Sequence, residues 1–454
     1  MRGLAALFVF FCHYFYTCFV IAEGWGYGDS NYNLLKLPFL RLFYAGPPMV
    51  CVFFVISGYA LSLKPLKLMR SKDGHGQLSN TMASLIFRRG IRLFLPTVVS
   101  TFLIFCLLRL GLYEWTREFA YDDEYMPNVQ EIHYERFDSF ADQLYDWLAA
   151  VRGLVHVWDW DAFASSTGMD VHLWTIPVEF RASMMLFLTI MGVARLRTWC
   201  RVAVIAGSVV FAYASDRWEM MLFYAGMGLA EMDIIRGAHA DPRTTAMAVA
   251  VTVVDERKAA AADEHHLHLP LPLSTRKSNK APATTVSKRY TATHLAWLTL
   301  SILALYFMSQ PDTGSDETPG WVFLSSLIPE WWTYKYRYWQ SLGSILFVLS
   351  VGRLPVWQRF FNTSLVQYFG KISYAIYLMH GPVLHTVGYA IERRVWTSVT
   401  GIEGSWYNVG FVVAALFIVP IVFWVSDVFW RAVDAPIVRF SRWVEGMCSA
   451  EEAR

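Results

Sequence analysis

Arg2 and His13 stand eleven residues apart in a stretch, "RGLAALFVFFCHY", that is otherwise almost wholly apolar. Eleven residues at 3.6 per turn is about three turns, so both side chains lie on one stripe of a helix, separated by about 16 Å along its axis. Residues 3–22 contain no Asp, Glu, Lys or Arg, and roughly 20 such residues cross a ~30 Å hydrocarbon layer. The pattern predicts a retained span with His13 near its middle, since a secretory signal has a shorter apolar core. An ionisable group at that depth marks a polar cavity inside a bundle. Imidazole titrates near neutrality and suits general base catalysis, the structural alternative being a neutral ring bonded to a neighbouring helix.

A second group of reactive types is cationic. In "FRRGIRLFLP" Arg88, Arg89 and Arg92 are spaced by three and four, which clusters their guanidinium groups at one end of a helix. Such a cluster fits phosphates, whose geometry the guanidinium fork matches, and it equally fits a membrane-edge anchor. "HLWTIPVEFRASM" brings Trp174, Glu179 and Arg181, and "GKISYAIYLMHGPVLH" brings Tyr374, Tyr377, His380 and His385. Cys12 adjoins His13 but points about 100° away around the helix. No Gly-x-Ser-x-Gly elbow is present, and the short run His265, His266 and His268 lies in a tract too polar to order a metal site. The reading therefore assigns no metal.

The elements that must position these groups follow from composition. The chain has 454 residues, 55% of them hydrophobic, 16% aromatic and only 17% charged, which is too apolar for an ordinary soluble protein. A net charge of +2 is too near zero to suggest nucleic acid, which is not expected as a partner, and four of six cysteines lie in apolar runs with no disulfide framework. Ten apolar windows, near 3–22, 46–63, 91–112, 174–195, 199–215, 217–235, 294–310, 338–353, 373–391 and 406–430, predict an all-α integral membrane bundle of about ten spans. Residues 64–92 hold seven Lys/Arg against one Asp, and 236–293 nine against five acids. Residues 113–172 hold three Arg against thirteen acids, and 312–337 two bases against four. Basic loops stay cytoplasmic, so both termini and the 236–293 insert are expected there, with 113–172 outside as an acidic loop or small cap. The sequon at Asn362 would then face the cytoplasm. Composition predicts a disordered insert between a first unit of six spans, 1–235, and a second of four, 294–440, ahead of a short tail, 441–454. "FFVISGYAL" supplies Ser57 and Gly58, small enough for close helix packing.

Taken in order, "RGLAAL" with its later histidine, "FFVISGYAL", "RRGIRLFLP", "LWTIPVEF" and "SYAIYLMH" resemble the acyltransferase 3 family of integral membrane acyltransferases, in a version like those of fungi. The resemblance implies a ten-span bundle that moves an acyl group, commonly acetyl, from acyl-coenzyme A to a hydroxyl of a glycan or other small acceptor. It implies that His13 is the catalytic histidine, that Arg2, Arg88, Arg89 and Arg92 contact the coenzyme, and that Glu179 orients a catalytic group or the acceptor. Trp174, Tyr377 and His380 are then expected at the substrate. Acyl-coenzyme A serves as co-substrate, with no permanently bound cofactor. The bilayer is the other partner, its organelle is left open, and no oligomeric state is implied. Family chains run through an Asp and several more residues before this Arg, whereas here Arg2 follows Met1, as in a short gene model or a natural truncation. A proton-coupled transporter or flippase using the same buried groups is the rival from another class, and a bis-histidine haem on His13 and His380 a more distant one.

Overall fold

A computed structural model describes residues 1–28, 31–71, 74–160, 168–238 and 283–449. Among them are twelve helices of fourteen or more residues, α1 (Arg2–Phe15), α2 (Gly46–Leu68), α3 (Gly74–Arg109), α4 (Phe140–Val155), α5 (Thr175–Gly192), α6 (Thr198–Ala214), α7 (Trp218–Ile235), α8 (Ala283–Met308), α9 (Arg337–Val351), α10 (Ser364–Val383), α11 (Ser405–Phe429) and α12 (Ala435–Cys448). No strand occurs among the described residues, only an isolated bridge between Glu23 and Thr313.

Each of the ten predicted apolar windows overlaps a helix, but the count of ten spans is not reached by length and apolarity. Four stretches combine both, 46–68, 76–109, 171–192 and 405–448, while Arg2–Phe15, Thr198–Ala214 and Ala292–Met308 are apolar and shorter. The first window needs correction. Its helix stops at Phe15 rather than residue 22, giving 14 residues, or about 21 Å, and His13 sits in its last turn instead of its middle. The cause is a neighbour from the acidic loop. Asn128 Nδ2 donates to the carbonyls of Tyr16 and Phe19 at 2.6 and 3.0 Å, and its backbone N–H to Thr17 O at 3.1 Å, so carbonyls near the helix end find partners outside the helix.

The insert also changes at its edge. α8 begins at Ala283, eleven residues before the predicted start of its span. Residues 239–282, with the run at His265, His266 and His268, lie outside the described residues.

Two apolar cores flank the site. One joins α2, α5 and α7 around Phe54, Leu186, Trp218 and Phe223. The other joins α1, α10 and α11 around Phe10, Ile376, Phe411 and Ile418. In the first, Gly58 and Gly226 let α2 and α7 cross almost backbone to backbone. A Cβ on Gly58 would stand 2.1 Å from Phe223 O, and one on Gly226 2.2 Å from Val55 O. The small residues of "FFVISGYAL" thus act as their spacing suggests.

Candidate active site

His13 opens the site from α1. Against it stand His172, with ring centroids 3.9 Å apart, and His380 of α10, stacked at 5.3 Å and 27°. His172 belongs to a 3₁₀ turn, Val171–Trp174, that Asp170 caps by accepting the backbone N–H of His172 at 2.9 Å. The same carboxylate oxygen takes His172 Nδ1–H at 2.8 Å, while Nε2 faces Glu131 Oε1 at 2.8 Å. A carboxylate can only accept, so both ring nitrogens donate and the His172 ring is cationic.

Glu131 and His133 come from the acidic loop, and their i, i+2 spacing puts both side chains on one side of an extended chain. Glu131 Oε2 accepts His385 Nε2–H at 2.8 Å, and His385 Nδ1 lies 2.9 Å from His133 Nδ1. His385 sits in a π-helical turn, Leu384–Gly388, that follows α10, an irregularity common at functional sites. Burial alone would raise the Glu131 carboxyl, but the charge and hydrogen bond of His172, with those of His385, hold it well below the usual carboxylate range.

All of these groups are buried except His13, which keeps 24% of its side chain exposed. It is the histidine of the cluster that a substrate can reach. Its Nδ1 makes no hydrogen bond and lies 3.9 Å from Glu131 Oε1. His380 donates Nδ1–H to Ile376 O at 3.0 Å, which leaves Nε2 as a lone pair without a partner.

Ligand nitrogens of His13, His172 and His380 lie within 4.8 Å of one another, so a metal ion must be considered. Both nitrogens of His172 are already bonded to carboxylates, and coordination would have to displace one of them. The arrangement suits protons better than a metal. Cys12 turns toward α2, where a Cβ on Gly46 would meet its Sγ at 2.9 Å, so it does not face this cluster.

A narrow cavity of about 50 Å³ lies along the α1 stripe, lined by Arg2, Val9, Phe53, Glu179, Tyr374 and Tyr377 among others. Tyr377 donates its hydroxyl hydrogen bond to His172 O and shares one with Thr175 Oγ1 at 2.7 Å. Toward the Arg2 end, Glu179 Oε1 accepts from Arg89 Nη2 at 2.8 Å and from Ser57 Oγ at 3.1 Å. Arg89 Nε donates to Ser183 Oγ at 3.1 Å. Arg92 lies within electrostatic reach of Arg88, Arg89, Arg2 and Asp434. Arg88 is drawn aside by α12, its Nε 3.1 Å from Glu445 Oε2. The structure thus puts Arg2 and Glu179 on the cavity wall with Arg89 and Arg92 close to them, while His13 and His380 pack on His172, which the wall residue Tyr377 holds. Trp174 sits apart, its ring under the Arg337 guanidinium at 5.4 Å and beside Trp218.

The model of the acyltransferase domain family matches residues 1–233 and 276–431, most of the chain. The chain belongs to the acyltransferase 3 family. The break in the match, 234–275, falls almost wholly within the predicted insert. Among relatives of this acyltransferase, O-acetyltransferase PaAT-1 of Phomopsis amygdali is 30% identical over 477 residues, covering 98% of this chain and 83% of the relative. Acyltransferase R4 of a Phoma species is 26% identical, covering 85% and 78%, and acyltransferase clz18 of Cochliobolus lunatus is 26% identical, covering 90% and 82%. No solved structure matches.

Sequence reasoning missed Glu131, His133, Asp170 and His172 as members of this buried cluster. The one signal for the first two was the Glu-x-His alternation in "QEIHYE", and for the last two an aspartate two residues before a histidine at a helix start, a capping pattern.

Proposed function

We propose that this acyltransferase moves an acyl group, acetyl by analogy with the relative named an O-acetyltransferase, from acyl-coenzyme A to a hydroxyl of a small acceptor such as a glycan. The reading rests on one observation, a cavity whose wall joins a basic cluster, through Arg2 and the Glu179–Arg89 pair, to the histidine cluster that holds the partly open His13, through the bond of Tyr377 to His172. Coenzyme phosphates bind Arg2, Arg88, Arg89 and Arg92 on the cytoplasmic side, and the pantetheine arm extends along the cavity past Glu179 and Tyr377 to bring the thioester to His13. His13 Nε2 removes the hydroxyl proton as the oxygen attacks the thioester carbonyl. The tetrahedral intermediate collapses, the C–S bond breaks, and His13 returns the proton to the thiolate. Ester and free coenzyme A leave, with no acyl-enzyme formed. General base catalysis of this kind contributes about 10²–10⁴-fold.

The test is His13→Gln, which keeps a neutral hydrogen-bonding group but cannot take a proton near neutral pH. Turnover should fall by about two to four orders of magnitude while acyl-coenzyme A still binds. A folded variant that keeps most of its acyl transfer would overturn the mechanism.

A further inference from the structure

Which group steadies His13 when it becomes positively charged? Among the described residues Glu131 is the one carboxylate within 4.0 Å of it. Asp170 turns its Oδ1 to His172, and Glu179 is paired with Arg89 and Ser57 along the cavity. Glu131 is also unusually well fixed. Oε1 is held by His172 and Oε2 by His385, each at 2.8 Å, in a carboxylate that is 6% exposed. The two donors that hold it come from separate elements, so the carboxylate has no freedom to turn away from α1.

We infer that Glu131 is the positioning residue of the catalytic base, holding His13 with Nδ1–H toward Glu131 Oε1 so that Nε2 presents its lone pair to the acceptor. This rests on the reading of His13 as base. As Nε2 takes the hydroxyl proton, the ring becomes an imidazolium and Nδ1–H a charge-assisted donor. The 3.9 Å separation then shortens by about 1 Å to a normal hydrogen bond, as catalytic contacts that are long in the free enzyme commonly do. The same proton passes to the leaving sulfur and Glu131 keeps its charge throughout, so the balance of the transfer step is unchanged. The cation on His172 has a part here as well. It neutralises much of Glu131 in the resting state, so the carboxylate does not draw a proton onto His13 before the acceptor arrives.

The experiment measures kcat and both KM values for Glu131→Gln, Glu131→Asp, His13→Gln and the double variant His13→Gln/Glu131→Gln in the full-length protein. Glu131→Gln should lower kcat by about 100- to 1,000-fold with KM for acyl-coenzyme A within about twofold of wild type. Glu131→Asp keeps the charge and both histidine bonds within reach, and should recover at least a tenth of wild-type kcat, which keeps the inference testable even if the amide variant fails to fold. Because Glu131 acts through His13, its substitution should cost nothing further once His13 is gone. A Glu131→Gln effect confined to KM, a further tenfold loss in the double variant, or an Asp variant as inactive as a folded Gln variant would each overturn the inference. Failure of the base reading looks different: His13→Gln would itself stay active.

Discussion

His133 Nδ1 and His385 Nδ1 face each other at 2.9 Å, so one must carry the hydrogen and the other the lone pair. The second nitrogen of His133 points at Tyr113 O at 2.7 Å, and a carbonyl only accepts, so His133 is protonated there. Burial, followed by the charge on His385, pushes His133 down to about 4. It is therefore neutral at ordinary pH and accepts from His385, which donates to His133 with one nitrogen and to Glu131 with the other. The acidic loop thus ends in a chain of donors running from a buried carbonyl to the carboxylate beside His13.

Stability should fall as the medium turns acid. The unfolded His133 binds a proton near 6.5 while the folded one resists until about 4, so the unfolded state holds more protons between those values and stability rises with pH there. Glu131, held low in the fold, acts in the same direction, stabilising above its unfolded value and losing that contribution as pH falls. Thermal unfolding in detergent should show Tm dropping between pH 6.5 and 4. His133→Gln should reduce that drop by the equivalent of about 2–3 kcal/mol; identical profiles would contradict the assignment of a neutral His133.

Replacing Arg88, Arg89 and Arg92 together by Gln should raise KM for acyl-coenzyme A by about 10- to 100-fold, the worth of one or two lost charged hydrogen bonds, and leave KM for the acceptor nearly unchanged. Lys at all three should restore part of the loss. Since Glu445 holds Arg88 at 3.1 Å, Glu445→Gln should free that guanidinium and lower KM for the donor by about two- to threefold, the scale of a partly exposed pair. Equal effects on both substrates would make these arginines membrane-edge anchors.

The α2–α7 crossing should not tolerate even one methyl group. Gly58→Ala and Gly226→Ala would each press a Cβ into a backbone carbonyl, which cannot rotate away, at a cost of about 3 kcal/mol or more. Gly207→Ala in α6 is the control, because nothing lies within 4 Å of its added carbon and alanine is the better helix former. Folded yield and Tm should drop for the first two and hold or rise for the third.

Much of the helical framework was readable because apolar windows carry their own signal: each of the ten overlaps a helix, and His13 and His380, singled out by type and spacing, do pack together. What was not readable is the loop that enters the bundle. Residues 113–172 have the composition of a solvated acidic segment, and nothing local says that Glu131 and His133 are 6% and 1% exposed. Their burial is made possible by partners far along the chain, His172 and His385, which supply the compensating donors. The early end of α1 escaped for the same reason, since Asn128 takes its carbonyls from over a hundred residues away.

That short first helix also sets an order of assembly. At about 21 Å α1 is short for a ~30 Å hydrocarbon layer, and it is made before the helix that covers it. The partner that fits it, α10, approaches so closely that a Cβ on Gly3 would stand 2.4 Å from Gly370 N, and it is synthesised some 350 residues later. Until then the loop cap at Asn128 is what finishes the helix. A chain interrupted before α10 has neither His380 nor His385, and presents an uncovered helix with a polar stripe to the membrane.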